Sequence, residues 1–267
     1  MKEKKTPLYD RHIDLGGNVV NFGGFLLPTQ YSGINQEHNA VRSKAGIFDV
    51  SHMGEFIISG SDAEKFLQKI TVNDVSSLSK GEAQYSAMCF KNGGIVDDLL
   101  IYKKENVFML VVNAANLEND LEWLKSHQEG DVKIEDISDK IGLIAVQGPR
   151  SRAILQTLTD TTLSNIQFYH FAEGRVGGKE AMIARTGYTG ELGFEIYSSA
   201  NEIGEIWDAI MDAGTDKGLE PAGLGCRDTL RMEMKFALYG NDIDETTNPI
   251  EAGLGWITKL GKADFIG

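Results

Sequence analysis

Residues 84 to 102 constrain this chain most. Gln84 to Phe90 and Ile95 to Tyr102 are apolar runs, and Lys91-Asn92-Gly93-Gly94 lies between them. Asn-Gly between two such runs is a strong hairpin signal, because glycine and asparagine reach the positive φ that tight hairpin turns need. A hairpin pairs its strands antiparallel, which argues against a purely parallel sheet. Period-two alternation places Val96, Asp98, Leu100 and Tyr102 on one face and Ile95, Asp97, Leu99 and Ile101 on the other. Each face then carries one carboxylate among apolar groups. A buried carboxylate without a partner is costly, so at least one of the two is expected to meet a partner, a ligand or a solvent-lined cleft. Spacing does not choose between them.

Helix and strand signals alternate along the rest of the chain. Gln36 to Lys44 predicts a helix closed by Gly46 as its C′ glycine, and Ile47 to Ser59 follows as extended chain. Ser61-Asp62-Ala63-Glu64 has the spacing of a capping box opening a helix through Phe66, Leu67 and Ile70. Val107 to Val112 is a third strand, and Leu117, Leu121, Trp123 and Leu124 recur at helical spacing. A second cycle has strands at Val132 to Ile137, Ile141 to Val146, Ala181 to Arg185 and Phe194 to Ser198. Its helices are expected at Arg150 to Leu158, with Pro149 in the first turn, at Glu202 to Met211, and at Leu224 to Met234. The order predicts an α+β protein of two sheet-plus-helix units. They are intertwined, roughly 1–50 plus 140–267 and 51–139.

Composition narrows the function classes. The 267 residues are 42% hydrophobic and 24% charged, enough for well-buried cores. A net charge of −13 disfavours a nucleic-acid partner, which needs cationic neutralisation. No run approaches the about eighteen apolar residues of a membrane span. The basic start Met1-Lys2-Glu3-Lys4-Lys5 has no apolar stretch behind it, so no secretory signal is expected. Cys89 and Cys226 form no ligand pattern and are read as reduced thiols. The five histidines show no i, i+4 pairing, so no metal is expected. Neither the dinucleotide fingerprint nor the P-loop occurs.

Two further segments carry chemistry. In Gly187-Tyr188-Thr189-Gly190-Glu191-Leu192-Gly193-Phe194-Glu195, glycines permit tight turning, and Glu195 sits in an otherwise apolar strand. Its carboxylate can accept a pair of hydrogen bonds from two adjacent N–H donors; an exposed strand residue is the alternative. In Gly223-Leu224-Gly225-Cys226-Arg227-Asp228, Arg227 can present a planar fork to a carbonyl or pair with an acid such as Glu195. A surface Arg–Asp pair is the alternative.

Taken together the segments resemble the T-proteins of the glycine cleavage system, the aminomethyltransferases. The resemblance rests on Thr6-Pro7-Leu8, Phe48-Asp49-Val50-Ser51-His52-Met53, Gly93-Gly94-Ile95-Val96-Asp97-Asp98-Leu99 and Val112-Asn113-Ala114. It continues through Gln147-Gly148-Pro149, the two segments above with the preceding Arg185-Thr186, and Leu238-Tyr239-Gly240. It implies transfer of a one-carbon unit from the aminomethyl-lipoyl arm of a partner H-protein to tetrahydrofolate, with release of ammonia. It assigns the essential acid to Asp98, the pteridine to Glu195 and Arg227, and the lining of the folate pocket to Met53, Tyr85, Tyr102, Asn113 and Tyr188. It implies tetrahydrofolate as co-substrate, a lipoyl group supplied by the H-protein, and neither metal nor membrane. The location expected is cytoplasmic, or the mitochondrial matrix for a eukaryotic mature chain. Family members normally continue into a small C-terminal β-barrel, which is expected to be absent from a chain ending at Gly267. The rivals are a related folate-dependent demethylase and a non-enzymatic folate-binding protein of iron–sulfur maintenance. The cysteine-bearing motif of that last group is missing at Arg185 to Glu191.

Overall fold

The computed structural model describes residues 3–267, so the first two residues of the basic N-terminal stretch lie outside the described residues. Contacts divide the chain into two units: residues up to His52 with Asp139–Phe236, and Met53–Ser138 with Ala237–Gly267.

The first unit is built on six strands in the order Phe171–Val176, Lys179–Ala184, Gly193–Ser199, Ile141–Gln147, Ala45–Asp49, Leu219–Pro221. All neighbours are antiparallel except the last pair. Ile203, Ile206, Trp207 and Ile210 recur at helical spacing along Ile203–Gly214, and that face buries against Ile144, Val146, Ile183, Phe194 and Ile196 of the sheet. A small sheet of Lys4–Lys5, Phe25–Pro28 and Val19–Phe22 completes the unit. Two helices, Ile34–Ser43 and Leu224–Glu233, pack together. The fully buried Glu37 ties their N-termini: Oε1 accepts from Tyr31 N at 2.5 Å and Gly33 N at 3.2 Å, and Oε2 from Gly223 N at 2.9 Å. Glycine is required at 223, because a Cβ there would lie 2.3 Å from the Thr29 carbonyl carbon.

The second unit holds five antiparallel strands in the order Ala83–Cys89, Ile95–Lys103, Phe108–Val112, Gly54–Ser59, Lys133–Asp136. Helices Ala63–Ile70 and Leu117–Ser126 supply Phe66, Leu67, Ile70 and Leu124 to one face, against Phe56, Ile58, Leu99, Ile101 and Leu110. On another cluster Ile243, Leu254 and Ile257 pack against Val72, Ala87, Cys89 and Ile95. Residues 237–267 therefore associate with the second unit, where the division read from sequence puts them with the first. The apolar anchors of this tail are few and widely spaced, and only the sheet surface they cover gives them a pattern.

Three local expectations are corrected. Gly46 is no helix cap: the helix ends at Ser43, and Gly46 lies inside Ala45–Asp49, where a Cβ would come within 2.5 Å of Val41 Cγ2. The capping box before Ala63–Ile70 is not made. Ser61 Oγ instead donates to Asp131 Oδ2 at 3.0 Å, and Asp62 Oδ2 accepts from Asp131 N at 2.8 Å. Strict alternation also fails at the start of Ile95–Lys103. Met88 pairs with Asp97 but Cys89 pairs with Ile95, so Val96 is the extra residue of a bulge. Ile95 joins the cluster of Ala87 and Cys89, while Val96 joins that of Leu99 and Ile101. The bulge exchanges the faces of 95 and 96 and leaves Asp97 and Asp98 on opposite sides.

The tail is also fastened to the hairpin by its backbone. Ile95 N donates to Asp244 O at 3.2 Å and Thr247 O at 3.1 Å, and a Cβ on Gly94 would sit 1.9 Å from Glu245 O. Gly94→Ala must push the two backbones apart, and we expect it to cost about 1–3 kcal/mol in denaturant unfolding. An unchanged midpoint would mean that the tail yields freely at this point.

Candidate active site

Two groups of polar side chains stand out, one in each unit. In the second unit the bulge and the neighbouring strand end set the geometry. Asp97 is fully buried on the helix-covered side, and Asp98 is half-buried on the other. Asn113, just beyond Phe108–Val112, lies against both. Its Nδ2 is 2.8 Å from Asp97 Oδ1 and 2.9 Å from Asp98 Oδ1, and its backbone N donates to Asp97 Oδ2 at 3.2 Å. Tyr85 O–H donates to Asp98 Oδ2 at 2.8 Å. Burial, and next the charge of Asp97, push the Asp98 carboxyl up to about 7, against the hydrogen bonds that favour its ionised form. A carboxyl in that state can hold or release a proton at neutral pH. Each oxygen also keeps acceptor capacity beyond the one side-chain donor it receives. Tyr102 lies four residues on along the strand, fully buried, and Met53 is half-buried immediately before Gly54–Ser59.

In the first unit, glycines make room for one glutamine. A Cβ on Gly187 would lie 2.2 Å from Gln147 Oε1, and one on Gly193 2.3 Å from its Cδ. The buried amide placed there donates to Thr186 O at 3.2 Å and accepts from Thr189 Oγ1 at 2.8 Å. Arg42 reaches the same loop, donating to Thr189 O at 2.5 Å and Glu191 Oε1 at 3.1 Å, and it holds Glu233 at 2.7 Å. The loop so fixed delivers Tyr188 and Glu195. The Arg227 guanidinium lies over the Tyr188 ring, 4.6 Å from its centroid, and that ring stacks on Phe236. Glu195 is buried and accepts from Thr186 Oγ1. Burial lowers the Arg227 pKa, and Glu195 is the first of the charges that oppose the shift. Tyr188, Glu195 and Arg227 are thus neighbours.

Residues 8–262 match the family model described as the GCVT N-terminal domain. An aminomethyltransferase of Chloroherpeton thalassium is 54% identical over 266 residues, 99% of this chain and 74% of the relative. The chain belongs to the aminomethyltransferase family. A Bacillus subtilis aminomethyltransferase is 52% identical over 99% of this chain and 74% of its own length. The crystal structure of the glycine cleavage system aminomethyltransferase T from Bartonella henselae superposes with a TM-score of 0.91 at 32% identity, covering 99% of this chain and 72% of that one. A heterotetrameric sarcosine oxidase from Corynebacterium, at 15% identity and a TM-score of 0.51, shares the fold alone. This member of the aminomethyltransferase family therefore spans about three quarters of its relatives' length. Among its described residues no cluster could hold a metal ion, and no helix is long and apolar enough to cross a membrane.

Several residues around these groups escaped sequence reasoning. Trp256, 60% exposed, stacks on Tyr85 with centroids 6.0 Å apart, a pairing across 171 positions that no local pattern announces. Tyr169 has φ 59°, and burial, with the Glu195 charge, pushes its hydroxyl up to about 12. His52 is buried, and burial and then Arg227 lower it to about 4, so it is neutral at neutral pH. Asp120 reads as one more acid on the polar face of a helix, yet it is fully buried.

The Tyr85 hydroxyl stabilises the charged form of Asp98. Tyr85→Phe removes that donor, and the Asp98 titration, followed by carboxyl-carbon NMR, is expected to move upward from about 7. A downward or absent movement would show that this bond does not bear on the carboxylate.

Proposed function

We propose that the chain is a tetrahydrofolate-dependent aminomethyltransferase of glycine cleavage, with Asp98 as its reacting acid. Family membership at about half identity supports the reaction, and the Asp98 environment supports the residue. The carrying observation is a half-buried carboxyl, poised near neutrality, held by Tyr85 and Asn113.

The donor is an aminomethyl group bonded to sulfur on the lipoyl arm of a partner H-protein. The substrate is tetrahydrofolate, whose N5 and N10 become bridged by the transferred carbon. Two C–N bonds form, and the C–S and original C–N bonds break. The two hydrogens leaving N5 and N10 end on the lipoyl sulfur and on the departing ammonia. No net oxidation occurs, so no redox group is called for. This chain supplies position and charge. Asp98 in its ionised form accepts from a folate N–H and offsets positive charge developing on the attacking nitrogen. Tyr85 and Asn113 hold the carboxylate in one orientation. Glu195 suits the paired N–H edge of the pteridine, since a carboxylate accepts two parallel hydrogen bonds. Arg227, held over Tyr188, is assigned to a pteridine carbonyl. Met53, Tyr102 and Tyr188 are assigned to the folate surface. The exposed Trp256 over Tyr85 adds a flat apolar face to the Asp98 group.

The reading is tested by ammonia release from aminomethylated H-protein with and without tetrahydrofolate. Folate is expected to accelerate release strongly, and no stimulation would overturn the assignment. Turnover should rise with pH through about 7 as Asp98 ionises. Asp98→Asn is expected to lower kcat by about a hundredfold or more, and Asp97→Asn much less. Equal losses would transfer the role to the other face of the strand. Glu195→Gln should raise the KM for tetrahydrofolate about tenfold with a smaller change in kcat. A fall confined to kcat would move Glu195 out of pteridine binding.

A further inference from the structure

Behind Asp98 lies an arrangement that the reaction itself does not require. Asp97 on Ile95–Lys103 and Asp120 on Leu117–Ser126 are both 0% exposed, and their carboxyl groups meet within hydrogen-bonding reach. Asp97 is well supplied: Oδ1 and Oδ2 accept from the Asn113 side chain and backbone. Asp120 is not. Neither of its oxygens accepts from any N–H or hydroxyl donor among the described residues. The other groups that bear on the pair are Asp98 and, from the 237–267 segment, the Tyr239 phenol, around which Glu245 and Asp244 also stand. None of these is a cation. Two buried carboxyls that face each other with no cation near them, one of them with no donor, are not both ionised; they share one proton, as a carboxyl dyad does.

We propose that Asp120 is a positioning residue: its carboxyl stays protonated and donates to Asp97, and this one buried proton keeps Asp97 an acceptor that orients the Asn113 amide onto Asp98. The inference rests on the assignment of Asp98 as the reacting acid. Charge settles which partner is neutral. Asp97 receives two donors from Asn113, which favour its carboxylate, whereas Asp120 receives none, so the proton resides on Asp120. Burial and the neighbouring Asp97 accordingly push Asp120 up to about 11. The consequence reaches the active site along two short bonds. Asn113 has one amide group for two carboxyls, 2.8 Å to Asp97 and 2.9 Å to Asp98. With Asp97 anionic the amide is fixed, and the nearby negative charge helps keep Asp98 poised near neutrality. An Asp97 that took up a proton would accept more weakly from Asn113 and place no charge beside Asp98, loosening the amide and lowering the Asp98 pKa.

An asparagine at 120 donates as the protonated acid does and carries no charge, whereas a leucine of similar size donates nothing. Infrared difference spectra of the full chain at about pH 9, where Asp98 is ionised, read the proton directly. The carboxylic-acid carbonyl band is expected in the wild type and should vanish in Asp120→Asn. Turnover of Asp120→Asn should stay within about twofold of wild type, with its pH profile unmoved. Asp120→Leu should lose about tenfold or more in kcat, with the acid limb displaced to lower pH. A band that persists in Asp120→Asn overturns the proposal, as do equal kcat losses in the two variants. Should the leucine variant not fold, the band and the pH profile of Asp120→Asn decide alone. An intact turnover in Asp98→Asn, with the band behaving as expected, would remove the assignment of Asp98 while the shared proton stands.

Discussion

The Asn113 side-chain amide, hydrogen-bonded to Asp97 on one face of a strand and to Asp98 on the other, is the contact on which the polar arrangement of the second unit depends. Adjacent strand residues point to opposite sides, so one side chain reaches both only from beyond the end of a neighbouring strand. Phe108–Val112 ends immediately before Asn113 and so places it there. The bulge at Val96 serves the same geometry by returning Ile95 to the face that the tail covers. Asp97 is thereby enclosed with Asp120, and Asp98 is left half-buried with Tyr85. Concentrating three carboxyls in a low-dielectric interior without a cation costs free energy, and hydrogen bonds and retained protons offset it. A carboxyl held near its neutral point is the result.

The first unit solves a different problem with the same economy. Of its polar group, Glu195 lies in the strand Gly193–Ser199, while Tyr188 sits on a loop and Arg227 near a helix start, both of which are mobile unless tied. Gln147 fills the space that Gly187 and Gly193 leave, and Glu37 joins the beginnings of two helices through three backbone N–H groups. The signature glycines of this chain are therefore cavities for buried polar anchors as much as flexible turns. A methyl group at 187 or 193 would displace Gln147.

Much of the architecture is legible in the sequence because it is local. The hairpin turn, the apolar stripe of Ile203–Gly214 and the Leu224–Glu233 helix follow from spacing within a few residues. The short strands Val19–Phe22, Phe171–Val176 and Leu219–Pro221 did not declare themselves, since they are brief and half-exposed or carry charged and glycine residues. The capping box at Ser61 shows the converse. A correct local signal was overridden because Asp131, seventy residues away, offered both side chains better partners.

The sequence by itself determined the kind of fold, the family, and which residue types would carry the chemistry, because turn propensity, hydrophobic period and motif order are properties of neighbouring residues. Spacing alone left two adjacent candidate acids, Asp97 and Asp98, and the family resemblance chose Asp98. Only the tertiary structure decided their surroundings: Asp97 against Asp120, Asp98 against Tyr85, and one amide between them. A carboxyl's protonation depends on what surrounds it in three dimensions. Here burial, a like charge and a few hydrogen bonds of 2.8–2.9 Å come from segments up to tens of residues apart, and folding alone brings them together.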